Sequence, residues 1–188
     1  AWDDAIGIRK TFKKKKINIK DLSISKNLRL IDLLFVSPGI KPQHSVLLLA
    51  KKLKINITSD LDVFWEEALN RKNKFIVVTG SNGKSTVTSM IHHLLRLTNK
   101  KVLIGGNIGI PILSLKIPNN SSYYVIEASS YQLELMNKLK PDISILTNII
   151  PDHIEWHGSM KKYISAKEKI FLNQNNNDLA IINVDNLE

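Results

Sequence analysis

Two kinds of apolar run alternate along this chain. Phe75–Val78, Val102–Ile104, Tyr123–Ala128, Ile143–Thr147 and Leu179–Val184 are short, rich in β-branched and aromatic residues, and bounded by polar or glycine positions, which predicts buried strands. Between them the apolar residues recur at helical spacing: Val87, Met90, Ile91, Leu94 and Leu95 after Lys84, then stretches over 131–139 and 159–172. Strands alternating with helices argue for an α/β fold with a mainly parallel sheet, in which ligands gather at the carboxyl ends of the strands.

Upstream, the pattern reads as a strand at Leu33–Val36, a turn at Ser37-Pro38-Gly39, a helix over 43–54, a strand at Ile55–Thr58 and a helix over 61–69. That last helix carries Leu61, Phe64, Trp65, Ala68 and Leu69 on one face. The polar segment 70–74 is the expected linker, dividing the chain into 1–69 and 75–188. The chain opens on Ala1 rather than methionine and closes just after an apolar strand, so both domains are expected to be incomplete.

The strand at Phe75–Val78 runs into T-G-S-N-G-K-S-T, Thr79–Thr86, and then a helix. Gly80 and Gly83 allow a tight turn whose backbone N–H groups, with those of Ser81 and Asn82, approach an anion at the positive end of that helix. Lys84 supplies charge for phosphates, and Ser85 or Thr86 a hydroxyl for Mg²⁺. The common phosphate loop has a glycine five residues before its second one; here that position is Val78, so this is a shortened variant.

Composition narrows the partners. With 43% hydrophobic residues in 188 the chain can build a proper core. No apolar run is long enough to span a bilayer, and the absence of cysteine rules out disulfides and thiolate chemistry, in keeping with an expected cytoplasmic setting. The net charge of +10 includes the run Lys13–Lys16, yet the basic residues lack interleaved aromatic groups. A solvated surface is therefore expected in preference to a nucleic-acid interface.

Residues at the ends of the other strands carry Mg²⁺ and phosphate chemistry: Asn107, Glu127, Asn148 and the pair Asp152-His153. Glu127 closes an apolar run, where a carboxylate is costly unless several donors or a cation meet it. His153 reads either as a second metal ligand or as an ordinary loop histidine, and Asp152 equally as a helix cap. Lys167 falls at the centre of the stripe Met160, Tyr163, Ile164, Ile170 and Phe171. It either snorkels to water or is held where desolvation depresses its pKa and frees a neutral amine, which can take up CO₂ as a carbamate.

Five blocks in order, Thr79–Thr86, G-G-N-I-G (Gly105–Gly109), E-A-S-S-Y-Q-L-E (Glu127–Glu134), T-N-I-I-P-D-H (Thr147–His153) and Y-I-S-A-K (Tyr163–Lys167), resemble the Mur ligases of peptidoglycan synthesis, as does S-P-G-I at Ser37–Ile40. The resemblance implies that 1–69 is the remainder of a Rossmann-like domain for a UDP sugar. It implies that 75–188 is the first part of a P-loop ATPase domain, and that a carboxy-terminal ligase domain is absent. It assigns ATP to Gly80–Thr86, with Lys84 catalytic and Asn148 nearby, a first Mg²⁺ to Ser85 and Glu127, and a second to His153 and a carbamate on Lys167. Both of these last residues are also catalytic on this reading. Ser37, Gly39, Asn107, Ser129 and Gln132 approach the muramoyl substrate. The implied activity is ATP-dependent amide-bond formation by a cytoplasmic monomer with no membrane insertion and no nucleic-acid partner. The blocks favour the branch of the family whose substrates are UDP-N-acetylmuramoyl-L-alanine and D-glutamate. A sister ligase, a folylpolyglutamate synthase-like enzyme, or a nucleotide-binding fragment without ligase activity are the alternatives.

Overall fold

The computed structural model describes residues 1–69 and 72–185. In chain order the elements are α1 (Ile6–Lys14), α2 (Ser25–Leu28), β1 (Leu33–Phe35), α3 (Ser45–Lys52), β2 (Asn56–Thr58), α4 (Asp60–Leu69), β3 (Lys74–Thr79), α5 (Lys84–Leu97), β4 (Val102–Gly106), β5 (Tyr123–Glu127), α6 (Ser130–Leu135), β6 (Ile143–Leu146), α7 (Ile154–His157), α8 (Met160–Glu168) and β7 (Leu179–Ile182). Single 3₁₀ turns follow at Ile112–Ser114 and Lys169–Phe171.

The chain divides into two compact units, one of residues 1–35 with 42–57, the other of 36–41 with 58–188. The first holds α1, α2 and α3 and the two-stranded sheet of β1 and β2. In it His44 caps α3 by accepting the N–H of Val46 and its ring meets Asp4 at 2.7 Å. The helices α1 and α2 were not expected from the pattern, because Ile6 and Ile8 are exposed and no position of α1 is buried to mark a face.

The second unit is built on a five-stranded sheet in the order β4-β5-β3-β6-β7, every neighbouring pair parallel. The α/β fold with a parallel sheet is as expected. Each side chain of β3 except Lys74 is buried, the mark of a central strand covered on both faces. On one face Phe75, Val77, Tyr124 and Ile126 share one buried cluster with Leu61, Phe64 and Ala68 of α4, to which Leu133, Met136, Leu139 and Ile170 also belong. Phe75 stacks on Tyr124 at 5.4 Å between centroids, and Phe64 stands edge-on to both rings. On the other face α5 lies over β3, β4 and β5.

Several boundaries move for identifiable reasons. The helix expected over 131–139 stops at Leu135, because the N–H groups of Asn137, Lys138 and Leu139 turn to the buried carboxylate of Asp62. The helix expected over 159–172 starts on Ser159, whose hydroxyl accepts the N–H of Lys162, and tightens to a 3₁₀ turn after Glu168. Of the apolar stripe expected on α5, Met90 and Leu94 are exposed; the half-buried seam is Val87, Ile91 and Leu95 beside buried Thr88. Within the segment read as a linker, Asn70 and Arg71 lie outside the described residues, Lys74 opens β3, and Asn73 bridges Ala68 O and Ser122 N. Among the described residues no helix is long and apolar enough to cross a membrane.

Candidate functional site

The carboxyl ends of β3, β4, β5 and β6 bring the polar residues of the second unit together. After β3 the chain turns at Gly80 and reaches α5 through Gly83, the N-cap of that helix, at φ +78°. Gly80 has no room for a side chain, since a Cβ there would lie 1.9 Å from Thr147 Oγ1. This close approach lets the segment after β6 serve as a floor for the loop. Asn148 O accepts the N–H of Ser81 at 3.0 Å. The Asn148 side chain accepts the N–H of Asn82 at 2.9 Å and donates to Asn82 O at 3.0 Å, while Thr147 Oγ1 donates to the same carbonyl at 2.7 Å. Ser81 Oγ lies 2.8 Å from both Ile150 O and Tyr163 Oη. Lys84 Nζ turns back to donate to Ser81 O at 2.7 Å.

Beside the loop, Glu127 is 2% exposed at the end of β5. Two donors meet its carboxylate: Ser85 Oγ at 2.6 Å from Oε2 and Asn107 Nδ2 at 2.8 Å from Oε1. Asn107 comes this close because Gly106, at φ +106°, passes where a Cβ would sit 2.3 Å from Glu127 O, and Asn107 N donates to that same carbonyl. The structure thus joins Ser85, Glu127 and Asn107 in one hydrogen-bonded set. Thr86 lies in the exposed first turn of α5.

Lys167 does not reach solvent. It is 1% exposed, its Nζ donates to Gly80 O at 2.7 Å, and it sits 4.7 Å from the centre of the Tyr163 ring. Burial first, and then the charge of Lys84, lower its pKa from 10.5 to about 7, against a smaller pull upward from Asp152. His153 stands apart from this group. It is exposed, adopts a left-handed backbone at φ +52°, lies 3.4 Å from Asp152 and packs on Tyr131 at 4.9 Å. Among the described residues no hydrogen bond joins it to Lys167 or Glu127.

Ser129 and Gln132 form a capping box at the start of α6, and Gln132 Nε2 also donates to Asp60 at 2.7 Å. Burial raises the pKa of Asp60. Ser37 and Gly39 are exposed on the short segment that belongs to this unit, and Gly39 O accepts the Trp156 indole N–H at 3.4 Å. Sequence reasoning overlooked Thr147, Ser130, Tyr131, Trp156 and His157. Of these, only the aromatic spacing Tyr131, Trp156, His157 and Tyr163 around the D-H block carried a signal that something other than a loop was being built.

Hard oxygen donors beside a phosphate-type loop suit Mg²⁺, which takes few protein ligands and leaves the rest to water and phosphate. Ser85 and Glu127 fit that requirement. Among the described residues no three His, Asp or Glu side chains converge as a metal cage. At Lys167 a protonated amine cannot be a metal ligand; only the neutral amine, or a carbamate formed from it, can be.

Comparison with known proteins gives a consistent family. Residues 78–188 match the model of the Mur ligase middle domain. Among curated proteins the chain is 48% identical over 157 residues to the UDP-N-acetylmuramoylalanine--D-glutamate ligase of Wolbachia pipientis wMel, covering 83% of the chain and 30% of that protein. It is 40% identical over 193 residues to the enzyme of the same name from Caulobacter sp. strain K31, covering 98% and 41%. The chain therefore spans well under half the length of these relatives. Among solved structures it resembles UDP-N-acetylmuramate-alanine ligase from Thermotoga maritima at 27% identity and a TM-score of 0.51, covering 93% of the chain and 40% of that protein. The MurF ligase of Thermotoga maritima in complex with ADP, at 20% identity, a TM-score of 0.53 and coverage of 89% and 47%, shares the fold.

Proposed function

The chain belongs to the Mur ligase family, and from that premise we propose that it is the phosphate-binding part of an enzyme that uses ATP to join D-glutamate to UDP-N-acetylmuramoyl-L-alanine in the cytoplasm. The observation that carries this reading is the convergence of the phosphate loop, Ser85, Glu127 and Asn107 at adjacent strand ends. The choice of D-glutamate rests on the relatives of that name at 48% and 40% identity.

In this reaction the substrate carboxylate attacks the terminal phosphorus of ATP, ADP departs and an acyl phosphate forms. The amine of D-glutamate then attacks the acyl carbon, and phosphate leaves from a tetrahedral intermediate. Gly80–Thr86 holds the phosphates, and Lys84 exchanges Ser81 O for the phosphoryl group in transfer. Ser85 and Glu127 would hold the first Mg²⁺, and the resemblance assigns a second to His153 and a carbamate on Lys167. When bound, these ions offset the negative charge gathering on the phosphates. Burial of Lys167 keeps enough of its amine neutral near pH 7 to form the N–C bond to CO₂, with release of a proton. Asn148 braces the loop below the nucleotide, and Ser37, Gly39, Asn107, Ser129 and Gln132 face the muramoyl substrate. The enzyme works as a monomer without nucleic acid or membrane insertion.

The full-length enzyme is expected to release phosphate only when UDP-N-acetylmuramoyl-L-alanine and D-glutamate are both present. Lys84→Ala is expected to cut turnover by about a hundredfold or more, as removal of a transition-state donor does. Full turnover by that variant would sink the assignment, and preference for another amino acid in an acceptor panel would move the chain to a sister ligase.

A further inference from the structure

His157 has no part in the chemistry set out above, yet it is built into the site. It is the last residue of α7, 3% exposed, with its ring stacked on Tyr131 at 5.8 Å and edge-on to Trp156 at 4.6 Å and Tyr163 at 5.3 Å. Such a cage suits any flat apolar ring. What a histidine adds is one polar contact: Nε2 lies 3.0 Å from Ser130 Oγ.

That bond joins two segments that approach the site separately. Ser130 is the first residue of α6, three residues after Glu127, the last residue of β5. His157 comes four residues after His153, whose carbonyl accepts the N–H groups of Trp156 and His157 at 3.0 and 3.1 Å. The helix between them spans Ile154–His157 and is flanked by left-handed backbone at His153 and Gly158. A helix of one turn does not hold itself. Its placement has to come from its contacts.

We propose that His157 is a positioning residue, whose hydrogen bond to Ser130 fixes α7, and with it His153, against the strand end that carries Glu127. The inference rests on the reading of His153 and Glu127 as metal-binding groups. Outer partners that fix metal ligands are worth about 10–100-fold in metal affinity or activity. A brace between the two carriers belongs to the same class.

The test uses the full-length enzyme with His157→Phe, which keeps a ring in the cage and removes the bond, Ser130→Ala, which removes its other end, the double variant, and His157→Gln, whose amide nitrogen falls near the place of Nε2. Mn²⁺ binding in the presence of a non-hydrolysable ATP analogue is followed by electron paramagnetic resonance, beside the Mg²⁺ concentration needed for half-maximal phosphate release. His157→Phe and Ser130→Ala are each expected to weaken Mn²⁺ binding and raise the Mg²⁺ requirement by about tenfold or more. The double variant should be no worse than either, with KM for ATP unchanged, and His157→Gln should regain most of the loss. A folded His157→Phe protein with unchanged Mn²⁺ affinity and Mg²⁺ requirement overturns the brace, as do single effects that multiply in the double variant or a wild type that binds no Mn²⁺. Should His157→Phe fail to fold, Ser130→Ala decides on the same readings. A wild type that binds Mn²⁺ but shows no D-glutamate-dependent phosphate release counts against the proposed reaction instead, and the Mn²⁺ titrations still decide the brace.

Discussion

Asp62 is 1% exposed, and its carboxylate accepts the N–H groups of Asn137, Lys138 and Leu139 at 2.8, 2.8 and 3.0 Å. Three donors satisfy the buried carboxyl oxygens, and the same three bonds end α6. Nothing near Asp62 in the sequence announces this, because its partners lie more than seventy residues downstream. Asp62→Ala leaves those N–H groups without an acceptor, and urea unfolding is expected to show a loss of about 3 kcal/mol or more. Lys167 was easier to read, since a lysine at the centre of an apolar stripe is conspicuous in one dimension. His157 was not, because W-H-G-S looks like a loop until the aromatic cage closes around it. Burial lowers its pKa from 6.5 to about 4, with the charges of His153 and Lys167 adding to the effect. The unfolded chain therefore takes up a proton below pH 6.5 that the folded one refuses until about pH 4, so this histidine costs stability progressively as pH falls through that window. Between pH 6.5 and 4 the wild type should lose more stability on acidification than His157→Phe, a difference that denaturant titrations at several pH values would register.

At the level of elements, the strands of the second unit were legible because buried parallel strands are continuous apolar runs, and β3 is one from Phe75 to Val78. The ends of helices were less so, since tertiary acceptors and caps decide them. Helical spacing also misjudged α5: it marks Met90 and Leu94 as apolar without saying whether anything covers them. The glycine-rich turn after β3 was legible in its residues, but its support from the segment after β6 was invisible, because Thr147 and Asn148 look like an ordinary strand end. That support makes Gly80 sensitive in a way its flexibility alone would not. Gly80→Ala puts a methyl group 1.9 Å from Thr147 Oγ1 and 3.2 Å from the Asn148 backbone, at φ +150°, so the loop must shift. A displacement of this kind costs about a hundredfold in a positioned site, and calorimetric titration with Mg²⁺ and ATP on the full-length enzyme should show the affinity falling steeply. Gly7→Ala, where nothing lies within 4 Å, is the matching control and should bind as the wild type does.

Across the whole molecule, the family followed from five sequence blocks and the parallel α/β architecture from the alternation of strands with helices, whereas the distribution of exposed apolar surface was not legible. Met90, Leu94 and Leu97 on α5 are 58%, 58% and 69% exposed, and every residue of the edge strand β7 is exposed, Leu179 and Ile181 at 52% and 44%. An uncovered edge with apolar side chains is a template for strand addition. The 188-residue chain should therefore self-associate despite its charge of +10, and Ile181→Lys should reduce that association in sedimentation experiments. Gly80, Ser81 and Asn82 are held by Thr147, Asn148, Ile150, Tyr163 and Lys167, partners 65 to 87 residues further along the chain. The loop therefore takes its shape only after β3 and β6 have paired in register, a long-range event that comes slowly in parallel sheets. During refolding, nucleotide binding should appear as one of the last signals, marking completion of the sheet rather than formation of the local turn.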